Sequence, residues 1–127
     1  MQVPLSTAKR VLVADDNTDG ADSLALLLEC MSYEVRAAYN GHQAVEEAQV
    51  FSPDLVILDI DMPVLNGYQA ARQLKTRPTT RQPVLVALTA IATPEAVRQA
   101  EDAGFDIHLQ KPIGGSALAE LLQRVLH

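Results

Sequence analysis

The sequence predicts an α/β domain built on a parallel sheet of five strands, with helices on both faces of the sheet. Three observations lead to this prediction. Short apolar runs alternate along the chain with segments of helical period, five times in succession. Several of the runs are apolar at every position, as in strands that are covered on both faces. Strict alternation of strand and helix then implies parallel strands joined by right-handed crossovers.

Five segments are predicted to be strands. In chain order they are Val11–Ala14, Glu34–Ala38, Leu55–Leu58, Val84–Leu88 and Asp106–Leu109. The first, third and fourth are continuous apolar runs, which suits central strands. The second and fifth alternate between apolar and polar residues, which suits strands nearer the edges of the sheet.

Apolar residues at helical spacing predict the helices, of which the first and last are clearest. Their stripes are Leu24, Leu27, Leu28 and Met31, and Leu118, Leu121, Leu122 and Val125. Weaker stripes mark the second helix (Ala44, Ala48, Phe51) and the fourth (Val97, Ala100), and propensity favours a third over Tyr68–Lys75. Thr93-Pro94 is a typical helix start and Gly104 a typical stop. Cys30 is expected to lie on the core side of the first helix.

The bulk composition predicts one globular domain. The chain has 127 residues, of which 48% are hydrophobic and 20% charged. We expect a flexible lead-in over residues 1–8 and the domain over 9–127. The net charge of −6 argues against direct nucleic-acid binding, which needs a basic surface. The single cysteine cannot form an internal disulfide, which favours a cytoplasmic protein. No apolar stretch approaches the roughly 20 residues that span a bilayer, so we expect no membrane segment.

Polar residues follow four of the predicted strands at their carboxyl ends. Asp15 and Asp16 follow the first strand, Asp59 the third, Thr89 the fourth and Lys111 the fifth. Parallel strands bring their carboxyl ends to one edge of the sheet, where open α/β sheets bind ligands. We therefore expect these five residues to meet in one crevice.

The expected crevice suits phosphoryl transfer with a bound magnesium ion. Two carboxylates about 4 Å apart repel by roughly 4 kcal/mol at an effective dielectric constant of about 20, and a divalent cation removes that cost. Oxygen ligands favour Mg²⁺ over zinc or copper. Asp59 is the natural nucleophile because an aspartate carboxylate can form an acyl phosphate. Asp16 and Asp59 would bind the cation, while Lys111 and the Thr89 hydroxyl would contact the phosphoryl oxygens.

From Lys9 to its C-terminus the chain resembles the receiver domain of two-component response regulators. The matching motifs are Val13-Ala14-Asp15-Asp16-Asn17, Leu58-Asp59-Ile60-Asp61-Met62-Pro63, Leu88-Thr89-Ala90 and Gln110-Lys111-Pro112. The resemblance implies a flavodoxin-like, doubly wound fold with strand order 2-1-3-4-5 and five helices on two faces. It also implies that a histidine kinase or a histidine phosphotransfer protein is the phosphoryl donor, and that the domain is not itself an enzyme of independent turnover.

The same resemblance implies roles for the site residues. Asp59 is the phosphoacceptor, and Asp16 and the backbone carbonyl of Asp61 share Mg²⁺ with it, while Asp15 holds the cation through water. The Lys111–Pro112 peptide is expected to be cis. The side chain of Asp61 is either an exposed loop acid or a group that affects water attack on the phosphoryl group.

The resemblance further implies a conformational switch. After phosphorylation Thr89 moves toward the phosphoryl oxygens, and the residue three before Lys111 turns into the space it leaves. That residue is usually Tyr or Phe in the family and is His108 here. Its rotation would reshape the face made by the fourth helix, the fifth strand and the fifth helix, where an unknown downstream protein would bind.

Several alternatives stay open at this point. Asp59-Ile60-Asp61 is similar to the Asp-x-Asp motif of haloacid dehalogenase-type phosphatases, although Met62-Pro63 departs from that pattern. A second alternative is a docking module that is not phosphorylated. The domain is either a stand-alone regulator or the terminal receiver of a hybrid sensor kinase, which residues 105–112 resemble. We expect a monomer or a weak, phosphorylation-dependent dimer.

Overall fold

A single parallel sheet forms the centre of the protein. The computed structural model describes residues 8–62, 65–76 and 82–126. The strands are β1 (Arg10–Ala14), β2 (Glu34–Ala38), β3 (Leu55–Asp59), β4 (Val84–Thr89) and β5 (Ile107–Gln110). They run in the order β2-β1-β3-β4-β5, which confirms the expected flavodoxin-like topology. β2 is added on one side of β1 and β3 on the other, so the strand order reverses at β1 and the carboxyl ends of β1 and β3 border a crevice.

In the described residues, five helices cover the two faces of the sheet. They are α1 (Thr18–Cys30), α2 (Gly41–Phe51), α3 (Gly67–Thr76), α4 (Pro94–Ala103) and α5 (Gly115–Leu126). Helices α2, α3 and α4 pack on one face, and α1 and α5 pack on the other. Alternate strand residues serve the two faces: Leu12 and Ala14 belong to the first core, Val11 and Val13 to the second. None of the described helices is long and apolar enough to cross a membrane.

Helix caps confirm the predicted punctuation of α4. The Thr93 hydroxyl accepts a hydrogen bond from the Ala96 N–H, and Gly104 ends the helix with a φ of 105°. Asn17 and Asn40 cap α1 and α2 in the same way, with side chains that accept from the third residue along. The starts of α1, α2 and α4, which each follow a strand at its carboxyl end, are therefore held by capping side chains.

Two predictions from the periodicity need correction. Cys30 is exposed rather than in the core. It is the last residue of α1 and lies about 200° around the helix from the buried Leu28, on the opposite side. The fifth strand begins at Ile107, one residue later than predicted, because the Asp106 carboxylate accepts a hydrogen bond from the Leu85 N–H (2.9 Å).

Candidate functional site

The sheet brings together polar residues from the carboxyl ends of four of its strands. Asp15 comes directly after β1, Asp59 is the last residue of β3, Thr89 is the last residue of β4, and Lys111 comes directly after β5. The Lys111 N–H donates to the Thr89 carbonyl (2.7 Å), which ties the ends of β4 and β5 together. The Lys111–Pro112 peptide is cis, as the resemblance implied.

Three carboxylates form an acidic cluster in this crevice. Asp15, Asp16 and Asp59 each have a carboxylate oxygen within 4.8 Å of the other two. Asp15 and Asp59 are buried, with 8% and 4% of their surface exposed, whereas Asp16 is exposed. Backbone contacts hold Asp15: its N–H donates to the Ala38 carbonyl (3.1 Å), and its carboxylate accepts from the Asn17 N–H (3.0 Å). The cluster thus combines two fixed, buried acids with one that is open to solvent.

Lys111 is the cation of the crevice in the described part of the chain. Its Nζ lies 3.2 Å from Oδ2 of Asp59 and 3.5 Å from Oδ2 of Asp15. The Asp61 N–H donates to the other oxygen of Asp59 (3.1 Å). Both oxygens of the Asp59 carboxylate therefore have a donor, although the side chain is almost fully buried.

Burial and neighbouring charges shift the pKa values of Asp59 and Lys111. Burial, followed by the neighbouring Asp15 carboxylate, raises the pKa of Asp59 above its usual value, and the donors from Asp61 and Lys111 offset this only in part. For Lys111, burial acts to lower the pKa, but the Asp59 and Asp15 carboxylates outweigh it and the pKa is raised. The site thus favours a charged lysine and disfavours an isolated negative charge on Asp59.

The donor set fits a hard divalent cation. Carboxylate oxygens from three residues converge within ligand spacing, and the Asp15 carboxylate adds to burial in raising the pKa of Asp59. Oxygen-only ligands and an exposed member that leaves room for water are typical of a magnesium site. The backbone carbonyl of Asp61, expected to be a fourth ligand, stays a prediction.

Thr89 and His108 lie on the same side of the sheet. The Thr89 side chain is buried, and its hydroxyl accepts from the Ile91 N–H (3.2 Å). His108 is in register with Ala87, two residues before Thr89, so both side chains lie on the face of the sheet that α2, α3 and α4 cover. Among the described residues, Nε2 of His108 is buried without a hydrogen-bond partner. The imidazole borders a cavity of about 440 Å³ between α4 and β5.

Gly67, the first residue of α3, also lies at the site. A Cβ atom at Gly67 would lie 2.6 Å from the Asp59 carbonyl oxygen and 2.7 Å from the Ile60 Cα. The backbone of α3 therefore packs directly against the end of β3 that carries Asp59. A glycine that opens a helix just after an acidic loop is the sequence signal that could have indicated this close approach.

Comparisons with known proteins agree with the geometry. The sequence model described as the response regulator receiver domain matches residues 11–123. A gliding motility regulatory protein of Myxococcus xanthus is 32% identical over 125 residues, which cover 98% of this chain and 16% of that protein. The signal transduction histidine-protein kinase BarA of Shigella flexneri is 36% identical over 117 residues, which cover 92% of this chain and 13% of that protein. The chain thus spans less than a fifth of the length of these relatives.

A similar solved structure contains a magnesium ion. It is the receiver domain of sensor histidine kinase PA1611 from Pseudomonas aeruginosa, with a magnesium ion coordinated in its active site cleft. That structure superposes with a TM-score of 0.85 at 29% identity, covering 94% of this chain and 98% of its own. The chain therefore belongs to the response regulator receiver domain family.

Proposed function

We propose that this receiver domain accepts a phosphoryl group on Asp59 from a phosphohistidine of a partner protein. The observation that carries the proposal is a buried carboxylate at a strand end, within 3.2 Å of a lysine ammonium and beside two further carboxylates. A buried acid in that setting has the environment of a nucleophile rather than of a helix cap.

The chain's own residues account for the transfer. An oxygen of the Asp59 carboxylate attacks phosphorus, the P–N bond to the histidine breaks, and its electron pair stays on the imidazole of the donor. Lys111, already in contact with Asp59, is placed to neutralise charge on the transferring oxygens. Thr89 can donate its hydroxyl proton to one of them, which requires a movement from its present contact with Ile91.

Asp15, Asp16, Asp59 and the Asp61 carbonyl would hold Mg²⁺. When bound, the cation supplies positive charge beside the phosphoryl oxygens. Burial, followed by the neighbouring Asp15 carboxylate, raises the pKa of Asp59, and a bound cation would favour its charged form. The exposed Asp16 provides a ligand on the solvent side.

We further propose that Thr89 and His108 form the conformational switch. The added group brings about −1.5 to −2 charges, by analogy with other phosphorylated side chains. Movement of Thr89 would open space on the face of the sheet to which His108 also belongs. The unpaired Nε2 of His108 leaves the ring without a hydrogen bond to hold it in its present position.

The switch is tested with His108→Ala. We expect phosphorylation by acetyl phosphate to be retained, because the ring does not touch the acidic cluster. Chemical shifts of amides in α4, β5 and α5, compared with and without the phosphoryl group, should change much less than in the wild-type protein. If the phosphorylation-dependent shifts on this face kept their full size in His108→Ala, the switch role would be wrong.

The partner class follows from the proposed reaction. A histidine kinase or a histidine phosphotransfer protein would donate the phosphoryl group in the cytoplasm, and a further protein would read the face formed by α4, β5 and α5. Both a stand-alone regulator and the terminal receiver of a hybrid sensor kinase fit this role, and BarA is itself named as a histidine-protein kinase. We propose no independent enzymatic turnover, and a monomer or weak phosphorylation-dependent dimer.

The phosphoacceptor role is tested by intact-mass spectrometry after incubation with acetyl phosphate, with and without Mg²⁺. The wild-type chain should gain one phosphoryl group in a Mg²⁺-dependent reaction, and Asp59→Asn should gain none. Asp102→Asn, which changes an exposed acid on α4, is the matched control and should label like the wild type. An adduct that survives Asp59→Asn, or turnover of phosphomonoesters without labelling, would overturn the proposal, the latter in favour of a phosphatase.

A further inference from the structure

The start of α2 lies against the loop that follows Asp59. A Cβ atom at Gly41 would lie 2.0 Å from the Leu65 carbonyl oxygen, 2.8 Å from the Leu65 carbonyl carbon and 3.0 Å from the Leu65 Cβ. All three neighbours are backbone or Cβ atoms, which cannot move aside as the end of a flexible side chain can. Any side chain at position 41 therefore requires the Leu65 carbonyl oxygen to withdraw from 2.0 Å to at least 3.0 Å, below which Cβ contacts essentially do not occur.

The helix side of this contact is held in place. The Asn40 side chain caps α2 by accepting from the Gln43 N–H (2.8 Å), and the Asn40 carbonyl accepts from the Ala44 N–H (3.0 Å). Gly41 and Ala44 are buried, and α2 packs into the core through further buried residues: Val45, Ala48 and Phe51. A displacement of the helix would disturb that packing, so the loop is the part that would move.

The far end of the loop is held as well. The Gly67 N–H donates to the Ile60 carbonyl (3.0 Å), and Gly67 packs against the backbone of Asp59 and Ile60. Asn66 and Gln69 cap α3 reciprocally, with N–H to side-chain distances of 2.9 and 3.0 Å. A shift of Leu65 therefore cannot be absorbed toward α3. Leu65 and Asp61, four residues earlier, belong to the same connection between β3 and α3.

We infer that Gly41 is a positioning residue for the metal site: its lack of a side chain seats the loop against α2 and so sets the place of the Asp61 carbonyl. The inference rests on the proposed function, in which that carbonyl and Asp59 share the cation. Mg²⁺ requires near-octahedral ligands at about 2.0–2.1 Å, so an ångström of loop displacement is enough to lose a ligand. The residue acts through the loop and touches neither cation nor phosphoryl group.

The chain provides a matched control for this inference. Gly115 is the first residue of α5, as Gly41 is of α2, and it follows the loop that carries Lys111 on the other side of the crevice. A Cβ atom at Gly115 has no neighbour nearer than the Leu27 Cδ2 at 4.0 Å. Gly41→Ala and Gly115→Ala therefore make the same chemical change at the same helical position, with and without a backbone obstacle.

The experiment measures the Mg²⁺ dissociation constant by titration calorimetry on the full chain, well below the unfolding temperature of each variant. We expect Gly41→Ala to weaken Mg²⁺ binding by about tenfold or more, the range seen when groups behind metal ligands are changed. Labelling by acetyl phosphate should slow at limiting Mg²⁺ and recover in part at saturating Mg²⁺. Gly115→Ala should match the wild type in both measurements.

A purely structural role predicts a different result. Gly41→Ala would then unfold at a lower temperature but bind Mg²⁺ like the wild type when folded, and this outcome would overturn the inference. Failure of the wild-type chain to bind Mg²⁺ or to become labelled would instead refute the proposed function. The two failures are therefore distinguishable.

A second pair of variants covers the case in which Gly41→Ala does not fold. Leu65→Gly gives the loop more backbone freedom, so the carbonyl can turn away from a methyl group at position 41. The double variant Gly41→Ala/Leu65→Gly should fold and bind Mg²⁺ several-fold more weakly than Leu65→Gly alone. Equal affinities in these two proteins would overturn the inference.

Discussion

The two loops that border the crevice are built in opposite ways. On the Asp59 side, glycines at both Gly41 and Gly67 allow backbone to pack directly on backbone, at distances that no side chain could share. On the Lys111 side, a Cβ atom at Gly114 would have no neighbour within 4 Å, and one at Gly115 only a side-chain methyl at 4.0 Å. Close backbone packing therefore requires glycine on the Asp59 side, whereas the glycines on the Lys111 side have room for a side chain.

The side chains carried by the two loops differ in the same sense. The Asp59 side chain is 6% exposed and both of its oxygens have donors, whereas the Lys111 side chain is 35% exposed and spans two carboxylates. In its proposed roles as nucleophile and metal ligand, Asp59 must be placed to within a fraction of an ångström, and rigid backbone contacts provide that placement. A lysine supplies a compact charge on a flexible stem and tolerates a looser setting.

The largest effect that the comparison predicts is that of Gly67→Ala. The new methyl group would lie 2.6 Å from the Asp59 carbonyl oxygen and 2.7 Å from the Ile60 Cα, so β3 and α3 must separate. We expect a loss of about 1–3 kcal/mol in the free energy of unfolding, the usual cost of overpacking, and at least tenfold slower labelling by acetyl phosphate. Urea unfolding and intact-mass spectrometry measure the two quantities. Wild-type stability in this variant would show that the Asp59 side is not tightly packed.

Much of this arrangement could be predicted from the chain. The apolar runs of β1, β3 and β4 placed Asp15, Asp59 and Thr89 at one edge of the sheet, because strand ends depend on local pattern and parallel topology. The contact between Gly41 and Leu65 could not be predicted in this way. It joins segments 24 residues apart, and no periodicity encodes how closely two backbones approach.

Smaller errors had local causes. The first helix has apolar residues on more than one side, so its stripe did not distinguish the buried Leu28 from the exposed Cys30. The start of β5 depends on a hydrogen bond from the backbone N–H of Leu85 to the Asp106 carboxylate, which the pattern of apolar residues does not reveal. In both cases the result depends on contacts with residues distant in the sequence, which a short window of sequence does not contain.

An intermediate effect is expected for the stability of Asp59→Asn without Mg²⁺. Burial and the Asp15 carboxylate raise the pKa of Asp59 in the folded state above the ordinary 3.8, so the folded protein binds this proton more tightly than the unfolded chain does. The free energy of unfolding therefore falls as pH rises from the ordinary pKa through the raised one, and stays lower above it. Asparagine carries no charge at any pH, so the variant does not lose this part of the free energy of unfolding.

Thermal unfolding in EDTA measures the effect of Asp59→Asn. At pH 7 the variant should unfold a few degrees above the wild type, and the difference should shrink below about pH 3.8, where the aspartate is protonated in both states. Added Mg²⁺ should raise the unfolding temperature of the wild type more than that of the variant. A variant less stable than the wild type at pH 7 would show that the contact with Lys111 outweighs the cost of burying Asp59.

The smallest effect is predicted for Gly114→Ala, on the open side of the crevice. A methyl group there meets nothing within 4 Å, and the φ angle of Gly114 lies outside the left-handed region. The bond from the Leu118 N–H to the Gly114 carbonyl (3.0 Å) needs no side chain and should persist. Since alanine restricts the unfolded chain, stability should be unchanged or rise by about 0.4–1 kcal/mol. Labelling and Mg²⁺ affinity should stay within twofold of the wild type. If this variant instead lost Mg²⁺ affinity as Gly41→Ala is expected to, the Lys111 side would be as tightly constrained as the Asp59 side. Sensitivity to a methyl group would then not depend on the backbone contacts at Gly41 and Gly67.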